Sequence, residues 1–231
     1  VKKEHRDFFG VRDMFEACVT RMKEEGCVLR VGFPNDNSYP VLKKGLRYKD
    51  VGKMITYFLP IKVGAVKPSM RVMNPISRLG SWFLIQFSRF SCNGHIYKFR
   101  YEKERESFDK VRYQWFGGQY QTVEVDGVIA RYKIQVHEGV NTLFILDVHP
   151  MSKKMFDKLV RTIYKKEGQS IDLIMYVGHL PFIPMSLIKM PHKYEPKHFN
   201  FTCKVLEKGV FDDSIYDINN WDVNLSNYDL L

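Results

Sequence analysis

A helical stretch that stops at Glu25-Gly26, passes straight into the apolar run 27–33 and then meets Pro34-Asn35-Asp36-Asn37-Ser38 constrains this chain more than any other feature. Met14, Cys18 and Met22 recur at helical spacing over residues 11–25, with charged residues between them. Gly26 is the residue type favoured just past a helix C-terminus. The run 27–33 is short, apolar and β-branched enough for a buried strand. A helix that feeds a strand through one glycine is an elementary step of an α/β fold. Ser38 is expected to cap a second short helix over 38–44, with Pro40 in its first turn, where a missing N–H costs nothing, and Gly45 as its stop. Residues 46–60 return as strand material.

The stretch 62–74 is rich in Lys, Gly and Pro and reads as a connection between two units. Residues 75–90 carry Ile76, Leu79, Phe83 and Phe87 at helical spacing, which predicts a helix packed through that face. Strand-like runs follow at 95–101, 119–125, 128–136 and 143–148, with Asp126-Gly127 as a hairpin turn. Ser152 then caps a helix whose Met155, Phe156, Leu159, Val160 and Ile163 form one stripe, closed by Glu167-Gly168 before the strand 171–177. This second helix, Glu-Gly, strand succession repeats the first and suggests an internal duplication.

Composition sets the outer bounds. The 231 residues are 45% apolar, enough for a buried core, and no apolar run reaches the length of a membrane span. Cys18, Cys27, Cys92 and Cys203 lack CxxC spacing, two of them sit in apolar periodic segments that predict buried free thiols, and together they point to a reducing, cytoplasmic compartment. The seven histidines include no helical i, i+4 pair, so no metal site is expected. The formal net charge of +10 favours an anionic partner, with nucleic acid possible but not favoured because no RNA-binding signature or finger pattern accompanies it.

The approach to the first helix reads Glu4-His5-Arg6-Asp7-Phe8-Phe9-Gly10-Val11-Arg12, and its sequel reads Val31-Gly32-Phe33-Pro34-Asn35 and then Gly45-Leu46. In this order the segments resemble the cofactor half of a Gcn5-related N-acetyltransferase. That family's pyrophosphate loop has the form Arg/Gln-x-x-Gly-x-Gly/Ala ahead of a helix. Gly10 takes the place of the central glycine, whereas Asp7 and Arg12 depart from the pattern and Arg6 is one position off register. The resemblance implies acetyl-coenzyme A as co-substrate and no metal. Its diphosphate would be held by Phe9, Gly10, Val11 and Arg12, where unpaired amides and the helix dipole attract anions. Asn35 would face the pantetheine, or else serve as a simple Asx cap beside Ser38.

No catalytic residue is named by the resemblance. Leu42 stands where the family often places a tyrosine acid, Tyr39 is the nearest substitute, and the base would sit on strands that precede the loop. The first unit is therefore either the continuation of a longer chain or draws strands from elsewhere. Val148-His149-Pro150 resembles the strand end ahead of a second pyrophosphate loop, but no glycine loop follows it, which implies a degenerate copy without coenzyme. Residues 191–196 and 221–229 resemble the ends of bacterial two-domain acetyltransferase-like proteins. Outside the resemblance, Asp147 and His149 share a strand face and offer a base with its orienting carboxylate, or a structural hydrogen bond. Arg112-Tyr113-Gln114-Trp115-Phe116 reads as core or as a stacking surface, and Cys203 has no histidine partner that would make it a nucleophile.

The expected architecture is α/β (α+β), with two acetyltransferase-like units, each a mixed β-sheet flanked by helices. Residues 1–62 are the C-terminal half of one such domain, 63–95 a linker with a packing helix, and 96–231 a second, degenerate domain. The expected activity is acyl transfer from coenzyme A to an amine of a sugar or small metabolite. Two other readings stay open: a non-catalytic basic module for nucleic acid or anionic glycan, and an aminoacyl transferase of the duplicated acetyltransferase-like type.

Overall fold

The computed structural model describes residues 8–92, 94–115, 120–195 and 199–228. In chain order its main elements are α1 (Phe8–Glu24), β1 (Leu29–Gly32), β2 (Lys49–Pro60), α2 (Val63–Val66), α3 (Asn74–Phe87) and α4 (Arg105–Asp109). There follow β3 (Gln121–Val125), β4 (Val128–His137), β5 (Val140–His149), α5 (Lys153–Glu167), β6 (Leu173–Gly178), β7 (Ile188–Lys189) and β8 (Phe199–Val205). Chain contacts divide the described residues into two units, one of residues 8–54 and 199–220, the other of 55–195 and 221–228. The fold class is α/β. Among the described residues no helix is long and apolar enough to cross a membrane.

In the first unit α1 ends as expected: Gly26 takes a φ of +81°, a left-handed conformation that only glycine adopts freely, and Cys27 N donates to Met22 O at 2.8 Å. Asn35, not Ser38, governs the turn after β1. Its Oδ1 accepts from the N–H of Asn37 (3.1 Å), the N–H of Ser38 (2.9 Å) and the Ser38 hydroxyl (3.1 Å), which makes an Asx turn of the expected serine cap. A wide turn over Val41–Gly45, in which Leu46 N donates to Val41 O, then delivers the chain to β2. Both β1 and the first half of β2 pair antiparallel with β8, which comes from far along the chain: Thr202 Oγ1 donates to Gly32 O across 170 positions. The described strands of this unit are therefore all antiparallel rather than mixed, because the middle strand runs opposite to both neighbours. Tyr48, Met54, Phe201, Cys203 and Ile215 are buried, and Phe33 stacks on Phe201 at 5.1 Å. Cys18, Cys27 and Cys92 are exposed; of the four thiols only Cys203 is buried.

The second unit holds a mixed sheet in the order β2 (second half), β6, β5, β4, β3, with β7 also on β2. Asp126 (φ +51°) and Gly127 (φ +73°) turn the β3–β4 hairpin as the dipeptide predicts. Ser152 Oγ accepts from Met155 N at 3.3 Å and caps α5, whose Phe156, Leu159, Val160 and Ile163 are buried over the sheet. The expected strand over 95–101 is reduced to two isolated bridges, Tyr97 with Met151 and Tyr101 with Trp221.

Helix α3 forms where expected but faces the other way. Ile76, Leu79, Phe83 and Phe87 are exposed, while Ser81 and Ile85 are buried. Two carbonyls near the end of β2 decide this: Ser77 Oγ donates to Ile61 O and Ser81 Oγ to Pro60 O, each at 2.8 Å. Enclosed carbonyls need donors, and the serine face supplies them.

Strands β5 and β6 pair in parallel from Thr142↔Leu173 to Ile145↔Tyr176, where their pairing ends. The closing segment 221–227 lies across the opening. His179 N donates to Val223 O (2.9 Å), Gly178 bridges Asn224, and Asn224 Nδ2 donates to Asp147 Oδ1 (2.9 Å). A Cβ on Gly178 would lie 2.8 Å from both Asn224 Cβ and Tyr176 Oη, so only glycine admits this segment. Gly178→Ala should cost about 1–3 kcal/mol, read as a lowered thermal midpoint. An unchanged midpoint would show that the segment does not depend on this approach.

Candidate functional site

The first unit carries a groove of about 640 Å³ along the flank of α1. Arg12, Phe15 and Glu16 line one wall, Lys44, Arg47 and Tyr48 another, and Arg30 and Lys204 are strand residues at its base. Arg30 and Lys204 are direct partners in the β1–β8 register. Like charges placed opposite each other across an antiparallel pair destabilise it, so nothing in the sheet itself favours this choice. The Arg30 guanidinium lies over the Phe15 ring at 4.5 Å, and its Nη1 is buried without a hydrogen-bond partner. Arg47 holds a φ of +58°, uncommon for any residue but glycine, on the turn into β2. Arg12 is balanced in part by Glu16 and Asp13, each at 3.6 Å.

The residues predicted from sequence fall unevenly around this groove. Phe9, Gly10, Val11 and Arg12 all lie within the first two turns of α1, so Gly10 is a helical residue and not part of a loop before the helix. Arg6 and Asp7 lie outside the described residues, as do the side chains of Phe9 and Val11. Arg12 lines the groove; Asn35 does not, and its Oδ1 is engaged by its own turn. Tyr39 donates to Asp50 Oδ1 at 2.7 Å and accepts from Lys43, which also pairs with Asp50. Sequence reasoning missed Arg30, Lys44, Arg47 and Lys204. A basic residue inside the apolar strand 27–33 was the available signal.

The second unit gathers its charges differently. Asp147, 3% exposed, accepts from Arg105 Nη1 (2.5 Å), Lys103 Nζ (3.3 Å) and Asn224 Nδ2 (2.9 Å), while Arg105 Nη2 donates to Asp222 Oδ2 (2.5 Å). Burial works to raise the Asp147 carboxyl, but Lys103 and Arg105 outweigh it and hold the group at about 2. Burial also raises Asp222, which has Asp147 as a like-charged neighbour. His149 is lowered, by burial first and then by Arg105. The carboxylate expected to orient His149 is thus committed to two cations and an amide, and the pair reads as structure rather than as a base. Burial pushes the Cys203 thiol up to about 11, against the modest pull of Lys49, which removes it as a nucleophile. Arg112 is buried and donates to Tyr228 O at 3.0 Å, and Arg131 lies over the Tyr113 ring at 4.3 Å, so this part of the aromatic-basic stretch packs. Phe116 lies outside the described residues, as does the Trp115 side chain. Among the described residues no group of three or more His, Cys, Asp or Glu side chains is placed to hold a metal ion.

No protein-family model matches the sequence, and no curated protein matches it. Solved structures do. A GCN5-related N-acetyltransferase from Anabaena variabilis matches over 90% of this chain and 53% of its own, with a TM-score of 0.53 and 9% identity. A GCN5-related N-acetyltransferase from Kribbella flavida matches over 89% of this chain and 50% of its own, with a TM-score of 0.53 and 12% identity. The chain thus spans about half the length of these neighbours, and it has the fold of Gcn5-related N-acetyltransferases.

The Asp147 network makes a signed prediction. Its folded-state value lies below the ordinary carboxylate value of about 4, so the native state binds fewer protons there than the unfolded chain does. The stabilising share is complete above about pH 4 and drains away as pH falls toward about 2. Asp147→Asn should cost about 1.5–3 kcal/mol at pH 7, since it removes one charged acceptor and leaves Lys103 and Arg105 to share Asp222, and the gap to wild type should narrow between pH 4 and pH 2. Denaturant titrations at several pH values read both; a gap independent of pH would contradict the assignment.

Proposed function

We propose that this chain takes part in acyl transfer from coenzyme A to an amine of a sugar or small metabolite, and that the groove of the first unit holds the anionic end of the coenzyme. The opposed Arg30 and Lys204 carry this reading. Two cations facing each other, one of them with a buried and unpartnered Nη1, suit a ligand with closely spaced negative charges, and a diphosphate answers that description. The fold supports the same class. Coenzyme A supplies the thioester when bound. Arg30, Arg47, Lys44 and Lys204 would neutralise its phosphates, Arg12 would contribute from the second turn of α1, and Phe15 offers an apolar surface beside them. Fixing the coenzyme in this way would aim the thioester for direct attack in a ternary complex. Deprotonation of the amine falls to water or to a base outside this groove. Phe9, Gly10 and Val11 would add backbone contacts at the start of α1, and Asn35, outside the groove lining and with its Oδ1 holding its own turn, would have only its amide nitrogen to offer the pantetheine.

In this reading the second unit is the degenerate acetyltransferase-like partner of a tandem pair, without coenzyme, because the chain's own residues 221–227 lie across the opening between β5 and β6. Exposed free thiols at Cys18, Cys27 and Cys92 suit a reducing, cytoplasmic compartment.

Calorimetric titration separates this reading from simple polyanion binding. Coenzyme A and adenosine 3′,5′-bisphosphate should bind saturably and pantetheine should not. Arg30→Gln and Arg47→Gln should each weaken coenzyme A about tenfold, the order expected for losing one charged hydrogen bond. Equal affinity for heparin or RNA, with the same loss in both variants, would replace the transferase by a basic binding module.

A further inference from the structure

Helix α3 inverts the arrangement that keeps a helix at home in water. Its inward face is made of Ser77, Ser81 and Ile85 with Leu84 at its edge, and its outward face is apolar. Together with the 3-10 turns on either side it exposes Val72, Ile76, Leu79, Phe83, Phe87 and Phe90, at successive spacings of three or four. Phe90 is 70% exposed, Ile76 65% and Phe87 58%, and Trp82, edge-on to Phe83 at 5.0 Å, is 45% exposed beside them. Scattered single apolar residues on a surface mean little, but a contiguous aromatic and aliphatic ridge marks a contact.

Charge says what the contact is with. Between Asp50 and Glu102 the chain has four lysines and four arginines and not one acidic residue. Arg78 stands one turn from Trp82 on the edge of the ridge, Arg89 precedes Phe90, and Lys67 and Arg71 precede the helix; all four are exposed. A second copy of this chain docked by a two-fold axis would set these cations against themselves with no carboxylate in the ridge to answer them. An anionic partner has no such conflict. The ridge is an exposed helix face, and its mixture of Trp, Phe and Leu flanked by Arg and Lys is the composition of helices that lie in the headgroup layer of a bilayer.

We propose that α3 and its flanks dock this protein peripherally on an anionic phospholipid surface, with Leu79, Phe83, Phe87 and Phe90 entering the acyl boundary and Arg78 and Arg89 meeting headgroup phosphates. The site is separate from the coenzyme groove and does not depend on it.

Co-sedimentation of the 231-residue chain with vesicles of phosphatidylcholine and phosphatidylglycerol in a 3:1 ratio tests this. Binding should be at least about thirtyfold stronger than to phosphatidylcholine alone, since each basic residue near the surface contributes about fivefold and Arg78 and Arg89 both face it. Arg78→Gln with Arg89→Gln should weaken it about thirtyfold. Leu79→Gln with Phe87→Gln should abolish it at any salt concentration while leaving the circular dichroism spectrum unchanged, because both side chains are already exposed. A blue shift of tryptophan emission on binding should vanish in Trp82→Phe, which still binds. Three results would overturn the proposal: no preference for anionic vesicles, binding that survives Leu79→Gln with Phe87→Gln, or a dimer in sedimentation velocity that this pair dissolves without any vesicle binding.

Discussion

A carboxylate buried where two parallel strands stop pairing is the constraint on which the second unit is built. Past Ile145 and Tyr176 the backbones of β5 and β6 no longer satisfy each other, and an opening between strand ends in a core would leave polar groups without partners. Asp147 resolves this by gathering Lys103, Arg105 and Asn224 around itself, and through them it fastens the segments near 103 and 224 to β5. Such a network adds little net stability over an apolar replacement, but it breaks at high cost when one member is lost. Its value lies in specification: the closing segment has one place to go, and the buried Gly178 leaves room for nothing bulkier.

The first unit does the opposite with its charges. Arg30 and Lys204 face each other across β1 and β8, Arg30 keeps a buried nitrogen without a partner, and Arg47 sits in a strained backbone conformation on the groove wall. Local rules are broken in the same few residues, and it is this concentration that motivates the proposed ligand site. The second unit thus ties Asp147 to opposite charges, whereas the first sets Arg30 directly against Lys204, and it is beside this like-charged pair that we propose the coenzyme is held.

What could be read from sequence was what is decided locally. Gly26 after a helix, Ser152 before one, and Asp126-Gly127 between two strands each act within a few residues, and all three are seen as expected. Asn35 and Ser38 stand three apart with the same capping capability, and of the two readings open for Asn35 the Asx turn is the one its oxygen makes. Long-range choices were not legible. Nothing in 199–205 announced that β8 would lie between β1 and β2, so the pairing of Arg30 with Lys204 had no sequence signature. The orientation of α3 was missed for a related reason: periodicity reports that a helix has two faces but not which is inside. Hydrogen bonds from Ser77 and Ser81 to carbonyls of Ile61 and Pro60 settled that question in favour of the serines.

We propose the basic groove beside α1 as the place where coenzyme A is held. Backbone hydrogen–deuterium exchange with and without saturating coenzyme A tests it directly. The account predicts slower exchange in residues 12–20 and 44–48, with the start of α5 and the 221–227 segment unchanged. Protection at 150–155 or 221–227, with none along the groove, would contradict it.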